Sequence, residues 1–247
     1  MLIKLLHWNI WFKEKIENIV ELLKEYQPDI ICLNELSRGL EYNDRKNTVK
    51  FVADYLGYNY FFHEGMVWKG DGNRVAGNGI FSKFPIIKSL YVNTSTPIRR
   101  GEIERYGSVY VETKMKAFDD ILTIGTDHLI YFSEFKETED KIRETDRLVE
   151  IIKKKKSKYV ISGDLNVPPT SNTIRRVEKH LSSSGPNHEE KTAFTKDADI
   201  PDYAGWKTGF EWRLDYVFAT KDMKIKSAKI LKTEFSDHLP ILVEFEV

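Results

Sequence analysis

The 247-residue sequence predicts a mixed α/β protein with many strands. Three observations carry that class. Runs such as Ile30-Ile31-Cys32-Leu33 and Tyr159-Val160-Ile161 are short, apolar, and β-branched or aromatic, which is the length and chemistry of buried strands. A strand, a helix and a second strand follow one another within the first 33 residues, as in a crossover unit. Further strand candidates continue to Val247 with no linker, repeat or low-complexity segment between them, so residues 1–247 read as a single domain.

The elements follow in order. Leu2–Asn9 reads as a strand, and Ile16, Ile19, Val20 and Leu23 fall on one face of a helix over Lys13–Tyr26 that Pro28-Asp29 ends. The apolar run at Ile30 suits a strand covered on both faces. A second helix is expected over Thr48–Leu56 and a strand over Tyr58–Phe62. Gly65–Asn78, bearing Gly, Asn and Trp, reads as a loop. Strands are expected at Gly79–Ser82, Ile86–Val92, Gly107–Lys116 and Ile121–Thr126. Glu134–Lys156 reads as an amphipathic helix with Ile142, Leu148, Ile151 and Ile152 inward, ending in lysines that favour the negative end of the helix dipole. After the strand at Tyr159, Gly163 permits a sharp turn and Pro168-Pro169 bars an immediate helix. Residues 182–209 are polar and irregular. Leu214–Ala219, Lys226–Lys232 and Ile241–Val247 are the closing strands.

Composition narrows the function classes. There are 38 basic and 38 acidic side chains, so the broad basic field that holds nucleic acid non-specifically is absent, while a local patch is still allowed. The lone cysteine, Cys32, lies in an apolar run and has no internal partner for a disulfide. Lys4 interrupts the short apolar start, which reads as neither signal peptide nor membrane anchor, and the expectation is a cytoplasmic monomer.

The chemistry gathers where strands stop. Six strand edges carry polar groups: His7-Trp8-Asn9, Asn34-Glu35, Asp127-His128, Asp164-Leu165-Asn166, Arg213-Leu214-Asp215 and Ser236-Asp237-His238. Such a set supports phosphate ester cleavage. A hard divalent cation such as magnesium takes oxygen ligands, and Glu35 is its natural first ligand, with Asn9 or Asp237 beside it. His238 titrates near neutrality and can take or hold a proton, with Asp215 as the candidate to fix its tautomer. Asp164 can orient or deprotonate water, and Asn166 can donate to a phosphate oxygen. Aromatic residues in loops (Trp68, Tyr203, Trp206, Phe210, Trp212) could stack on bases, and Arg99, Arg100 and Arg105 could engage phosphates, although interleaved glutamates neutralise that stretch.

Taken in order, Trp8-Asn9, Asn34-Glu35, Gly77-Asn78-Gly79, Gly163-Asp164-Leu165-Asn166, Arg213-Leu214-Asp215-Tyr216 and Ser236-Asp237-His238-Leu239-Pro240 resemble the endonuclease/exonuclease/phosphatase superfamily. The resemblance implies a four-layer α-β-β-α sandwich with two packed mixed β-sheets and a site at one end of them. It implies Glu35 as principal Mg2+ ligand (Mn2+ a substitute) with Asn9 beside it and Asp237 in support. Asp164 and Asn166 would handle nucleophile and scissile phosphate, Asp215 would orient His238, and His128 would contact phosphate. Asn78, Arg105 and Trp212 are the further candidate phosphate or substrate contacts. Two departures stand out: Asn34 replaces the usual Gln before the metal Glu, and Thr126-Asp127-His128 stands where abasic-site enzymes often carry Tyr. The expected substrate is nucleic acid, DNA foremost. The alternatives are a small-molecule or lipid-headgroup phosphatase and a binding module that has lost catalysis.

Overall fold

In the computed structural model, which describes residues 1–68, 74–95, 98–100, 103–105, 108–193 and 212–247, strand periodicity decides the layering. Along β1 (Leu2–Asn9), Ile3 and Leu5 face one side and Leu6 and Trp8 the other. The first pair enters a core between two sheets. The second meets helices.

One sheet has eight strands in the order β13 (Lys224–Ile230), β14 (Ile241–Glu246), β1, β2 (Ile30–Arg38), β4 (Val75–Ser82), β3 (Asn59–Trp68), β7 (Ile103–Arg105) and β6 (Ile98–Arg100). The other has six: β11 (Ser182–Ser183), β12 (Asp215–Ala219), β10 (Tyr159–Asp164), β9 (Asp120–His128), β8 (Val109–Ala117) and β5 (Ile86–Asn93). Each is mixed, with one parallel pair among antiparallel neighbours, β1–β2 in the first and β9–β10 in the second. Ile3, Leu5, Ile30, Cys32 and Ile80 pack across the seam against Val111, Ile124, Val160 and Val217. Cys32 is fully buried there, which pushes its thiol up to about 12.

The outer faces are covered in turn. Helices α1 (Ile16–Tyr26) and α2 (Thr48–Leu56) lie on the eight-stranded sheet, and α3 (Glu139–Ile152) and α4 (Asn172–Glu178) on the six-stranded one. The result is the expected four-layer α-β-β-α sandwich. Local chemistry sets the helix ends. Asn47 and Thr138 cap α2 and α3 by accepting the backbone N–H three residues on, and Gly57 stops α2 at φ +69°.

Two expectations are corrected. Among the described residues of Gly65–Asn78 all but Arg74 are strand, because β3 runs on to Trp68 and β4 starts at Val75. Its glycine is a packing requirement rather than a turn signal, since a Cβ on Gly77 would lie 2.1 Å from the His63 carbonyl oxygen. The long helix begins only at Glu139: of the apolar residues that marked its inward face Leu148 and Ile152 are buried, while Ile142 is 43% exposed, and Lys141, Glu144, Thr145 and Val149 complete the buried face. Helix α4 and strands β6 and β7 carried too little apolar pattern to be read. Arg99, Arg100 and Arg105 lie in β6 and β7, and their side chains fall outside the described residues.

Candidate active site

The seam between the sheets ends in polar groups because each strand keeps its inward register one step past its last apolar residue. Ile3 and Leu5 are followed on that face of β1 by His7 and Asn9, Ile30 and Cys32 on β2 by Asn34, Leu122 and Ile124 on β9 by Thr126 and His128, and Val160 and Ser162 on β10 by Asp164. Pairing then fixes the neighbours. Asn9 lies beside Asn34 in the first sheet, and Asp164 lies between His128 and Asp215 in the second. The loop before β14 brings His238 in beside β1, where Trp8 Nε1 donates to its carbonyl at 2.8 Å.

Glu35 reaches the same place by a different device. The β2–β4 register slips between Leu33 and Leu36, and within that bulge Glu35 takes φ +65°, a left-handed conformation that costs a residue with a Cβ roughly 1 kcal/mol or more. Its two carboxylate oxygens accept from Asn9 Nδ2 and from the backbone N–H of Phe12, both at 3.1 Å. Asn9 Nδ2 also donates to Asp164 Oδ2 at 3.1 Å, while Asn9 Oδ1 accepts from Trp11 N at 3.1 Å. That assignment points the amide nitrogen at two carboxylates. Asn9 is thus a donor between two acids, with its oxygen on the Trp11 amide.

Behind these lies a chain of acids and imidazoles. Asp215, fully buried, accepts from His7 Nε2 at 3.0 Å and from His238 Nδ1 at 2.8 Å. His238 Nε2 lies 3.7 Å and His128 Nε2 3.5 Å from Asp164 Oδ2. Burial alone would raise Asp215, but His238 and His7 outweigh it and hold its carboxyl well below the usual range. Burial would likewise lower His238, but Asp215 and Asp164 outweigh it and keep the imidazolium favoured well above its usual pKa. Asp164 is raised, chiefly by burial and then by Asp215 against the pull of His238 and His128. Asp237 is raised by burial and by Glu35 and Asp164, with His238 opposing.

The remaining sequence candidates separate. Asn166 sits at φ +50°, its backbone N–H on Asp164 Oδ1 (2.9 Å) and its Nδ2 on the Leu129 carbonyl (2.9 Å). Asn78 is buried, accepting from Asn34 Nδ2 at 2.9 Å and donating to the Val109 carbonyl at 2.7 Å. Asn34 in turn accepts from Asp164 N at 3.1 Å, so it ties the two sheets together. Trp212 packs on Phe135, ring centroids 4.7 Å apart. Arg213 donates to the carbonyls of Pro186, Asn187 and Glu190. Tyr203, Trp206 and Phe210 lie outside the described residues. His7 stood in the sequence as part of a polar strand edge with no role of its own, and the fold sets it against Asp215. Nor does the sequence mark Asp127, Glu144 and Lys141 as a buried trio behind His128: in the chain each is an ordinary charged side chain. Burial pushes Asp127 up to about 8 and Glu144 up to about 7.

The donor set fits a hard cation. Glu35 and Asp237 supply carboxylate oxygens that repel one another across the mouth, the repulsion a divalent ion relieves. Asp164, Asp215 and His238 also bring one ligand atom each within 4.8 Å of one another, although both Asp215 oxygens already bind imidazoles.

A search of curated protein sequences finds no match. Solved structures share the fold. An endonuclease/exonuclease/phosphatase from Beutenbergia cavernae DSM 12333 has a TM-score of 0.74 at 18% identity over 100% of this chain and 72% of its own. D. rerio TDP2 complexed with single-strand DNA product has 0.72 at 16% over 100% and 99%. The mannosyl-6-phosphatase Bt3783 of Bacteroides thetaiotaomicron VPI-5482 has 0.68 at 15% over 99% and 100%. Residues 6–238, from the end of β1 to the site histidine, match a family of phosphoester hydrolases throughout, and the chain belongs to that endonuclease/exonuclease/phosphatase family.

Proposed function

We propose that the protein is a magnesium-dependent phosphodiesterase of nucleic acid, DNA foremost, acting as a cytoplasmic monomer by in-line attack of water. One observation carries the reading: Asp215, His238, Asp164 and His128 form an unbroken acid–imidazole chain at the end of the seam, with Glu35 joined to it through Asn9.

Asp164 is the group that orients water and takes its proton, and its raised pKa makes it a better base than an exposed carboxylate. His238 holds a proton at Nε2, aimed into the same space, because Asp215 fixes Nδ1–H and favours the charged ring. That charge offsets the negative charge growing on the phosphoryl oxygens. His128 supplies a second imidazole on the other side of Asp164, and Asn166 holds one Asp164 oxygen through its backbone N–H. Asn166, Asn9 and Arg105 remain the proposed phosphate contacts and Trp212 a substrate-loop residue. Asn78 is a further proposed substrate-side residue, held in place by Asn34. Mg2+, or Mn2+ in its place, held by Glu35 and Asp237, would supply Lewis-acid polarisation of a phosphoryl oxygen.

A second reading, hydrolysis of small phosphate esters, is favoured by the zero net charge and by the sugar phosphatase among the structural neighbours. One panel separates them: nicked, abasic, single-stranded and 5′-adducted DNA beside sphingomyelin, inositol phosphates and mannose 6-phosphate, each with Mg2+ and with chelator. Cleavage of a DNA arm that stops on chelation is expected. Turnover confined to the small or lipid substrates refutes the nuclease reading, and no turnover at all refutes the enzyme.

A further inference from the structure

The inward face of α3 carries a lysine where a helix on a sheet ordinarily carries an apolar residue. Lys141 is 0% exposed. Burying an ammonium is unfavourable by several kcal/mol unless hydrogen bonds and counter-charge replace its water. Here they do. Lys141 Nζ donates to the carbonyls of Ile130 and Leu165 (the latter at 3.2 Å) and lies 3.6 Å from Glu144 Oε2, under the ring of Phe132.

The two carbonyls belong to the segments that carry the acid–imidazole chain. Ile130 is two residues beyond His128, and Leu165 stands between Asp164 and Asn166. Leu129 N already donates to the Asp164 carbonyl at 3.0 Å, and Asn166 Nδ2 to the Leu129 carbonyl. Glu144, one turn along α3, accepts from Ile130 N at 3.3 Å, so the lysine–glutamate pair grips both backbone polar groups of one residue. An apolar side chain of the same length would fill the space and leave two buried carbonyls without donors.

We propose that Lys141 is a positioning residue, a buried ammonium clasp that locks the segment after β9 to the segment after β10 and so sets His128 against Asp164. The inference rests on the hydrolytic reading above for its consequence in catalysis, but not for the clasp itself. A displacement of about 1 Å between two groups sharing one substrate can cost on the order of 100-fold in rate.

The test uses Lys141→Met, which keeps length and loses donors, and Lys141→Arg, which keeps donors. On whichever phosphoester the wild type cleaves, Lys141→Met lowers kcat by roughly 10-fold or more with KM within threefold, and Lys141→Arg recovers most of that loss. A kcat within twofold of wild type for Lys141→Met overturns the proposal, as does an arginine variant no better than methionine. Should Lys141→Met fail to fold, Lys141→Gln, whose shorter arm spans at most one of the two carbonyls, is read the same way. A readout independent of activity keeps the clasp distinct from the hydrolase reading. The His128 imidazole resonance shifts or doubles in Lys141→Met and returns in Lys141→Arg, while that of His188, outside the clasp, stays fixed. An unmoved His128 resonance in the folded methionine variant sinks the clasp whatever the substrate.

Discussion

Asp215 and Asp164 are both buried carboxyls one strand apart, each beside two imidazoles, yet they shift in opposite directions. Asp215 accepts hydrogen bonds from both of its imidazoles and stays ionised, whereas Asp164 lies 3.5 and 3.7 Å from its two, and burial, with Asp215 adding, pushes it toward holding a proton. Different environments for paired acids are what acid–base division of labour requires. His238→Ala and Asp164→Asn are each expected to lower turnover by at least ~100-fold with unchanged circular dichroism, as loss of proton handling does. Near-wild-type rates in both would remove their assigned roles. The pH profile follows by sign. Asp164 must be ionised, so rate falls as pH drops through its raised pKa. His238 must be charged, so rate falls as pH rises through its own raised pKa. Asp215→Asn removes the charge that favours the imidazolium and should move the alkaline limb of kcat to lower pH. A limb that stays in place, with only the plateau lowered, would show that Asp215 positions His238 without setting its charge.

At the scale of elements, what was legible was where apolar runs stop. Asn9, Asn34, Asp164 and His128 each stand at such a strand end, and so were read as one set before any contact was known. Whatever depended on an element's partner was not legible. The glycine of β4 looks like a loop until His63 lies against it, and Lys141 looks like solvent-facing charge until α3 turns that face to the sheet. His7 belongs to both classes: its place at a polar strand end was readable, but its partner, 208 residues away, was not. The element that carries His128 also stores a buried acid, Asp127, which accepts from His128 N and Thr94 Oγ1. Its folded pKa of about 8 lies far above the unfolded value of ~3.9, so the native state keeps a proton that the unfolded chain has released. Stability from this group is therefore complete below about pH 4 and lost as pH rises toward 8. Asp127→Asn has no such slope. Its melting temperature relative to wild type should climb steadily from pH 5 to 8.5, and parallel curves would mean that Asp127 is ionised throughout.

For the whole molecule, the site is the place where two sheets with separate outer helices share one set of polar ends. The seam is held there by few direct links, among them Asn9 to Asp164 and Asn34 to the Asp164 backbone, while Glu35 and Asp237 add like charges to the mouth. A divalent cation bound between them stabilises the folded chain over the unfolded one, because unfolding disperses its ligands. At a hundredfold excess over Kd the linkage is about 2.7 kcal/mol. For a chain of this length that corresponds to roughly 5–10 °C in Tm, at about 2–4 °C per kcal/mol. Mg2+ or Mn2+ added to metal-free protein should raise Tm by that order, and EDTA should reverse it. Glu35→Gln should abolish most of the shift. Because it removes one of the crowded acids, its metal-free form should melt no lower than the wild type's. The measurement needs no substrate, so it tests the cation site apart from the chemistry. A variant whose Tm still rises with metal as the wild type's does would move the ion away from Glu35, toward the Asp164, Asp215 and His238 group.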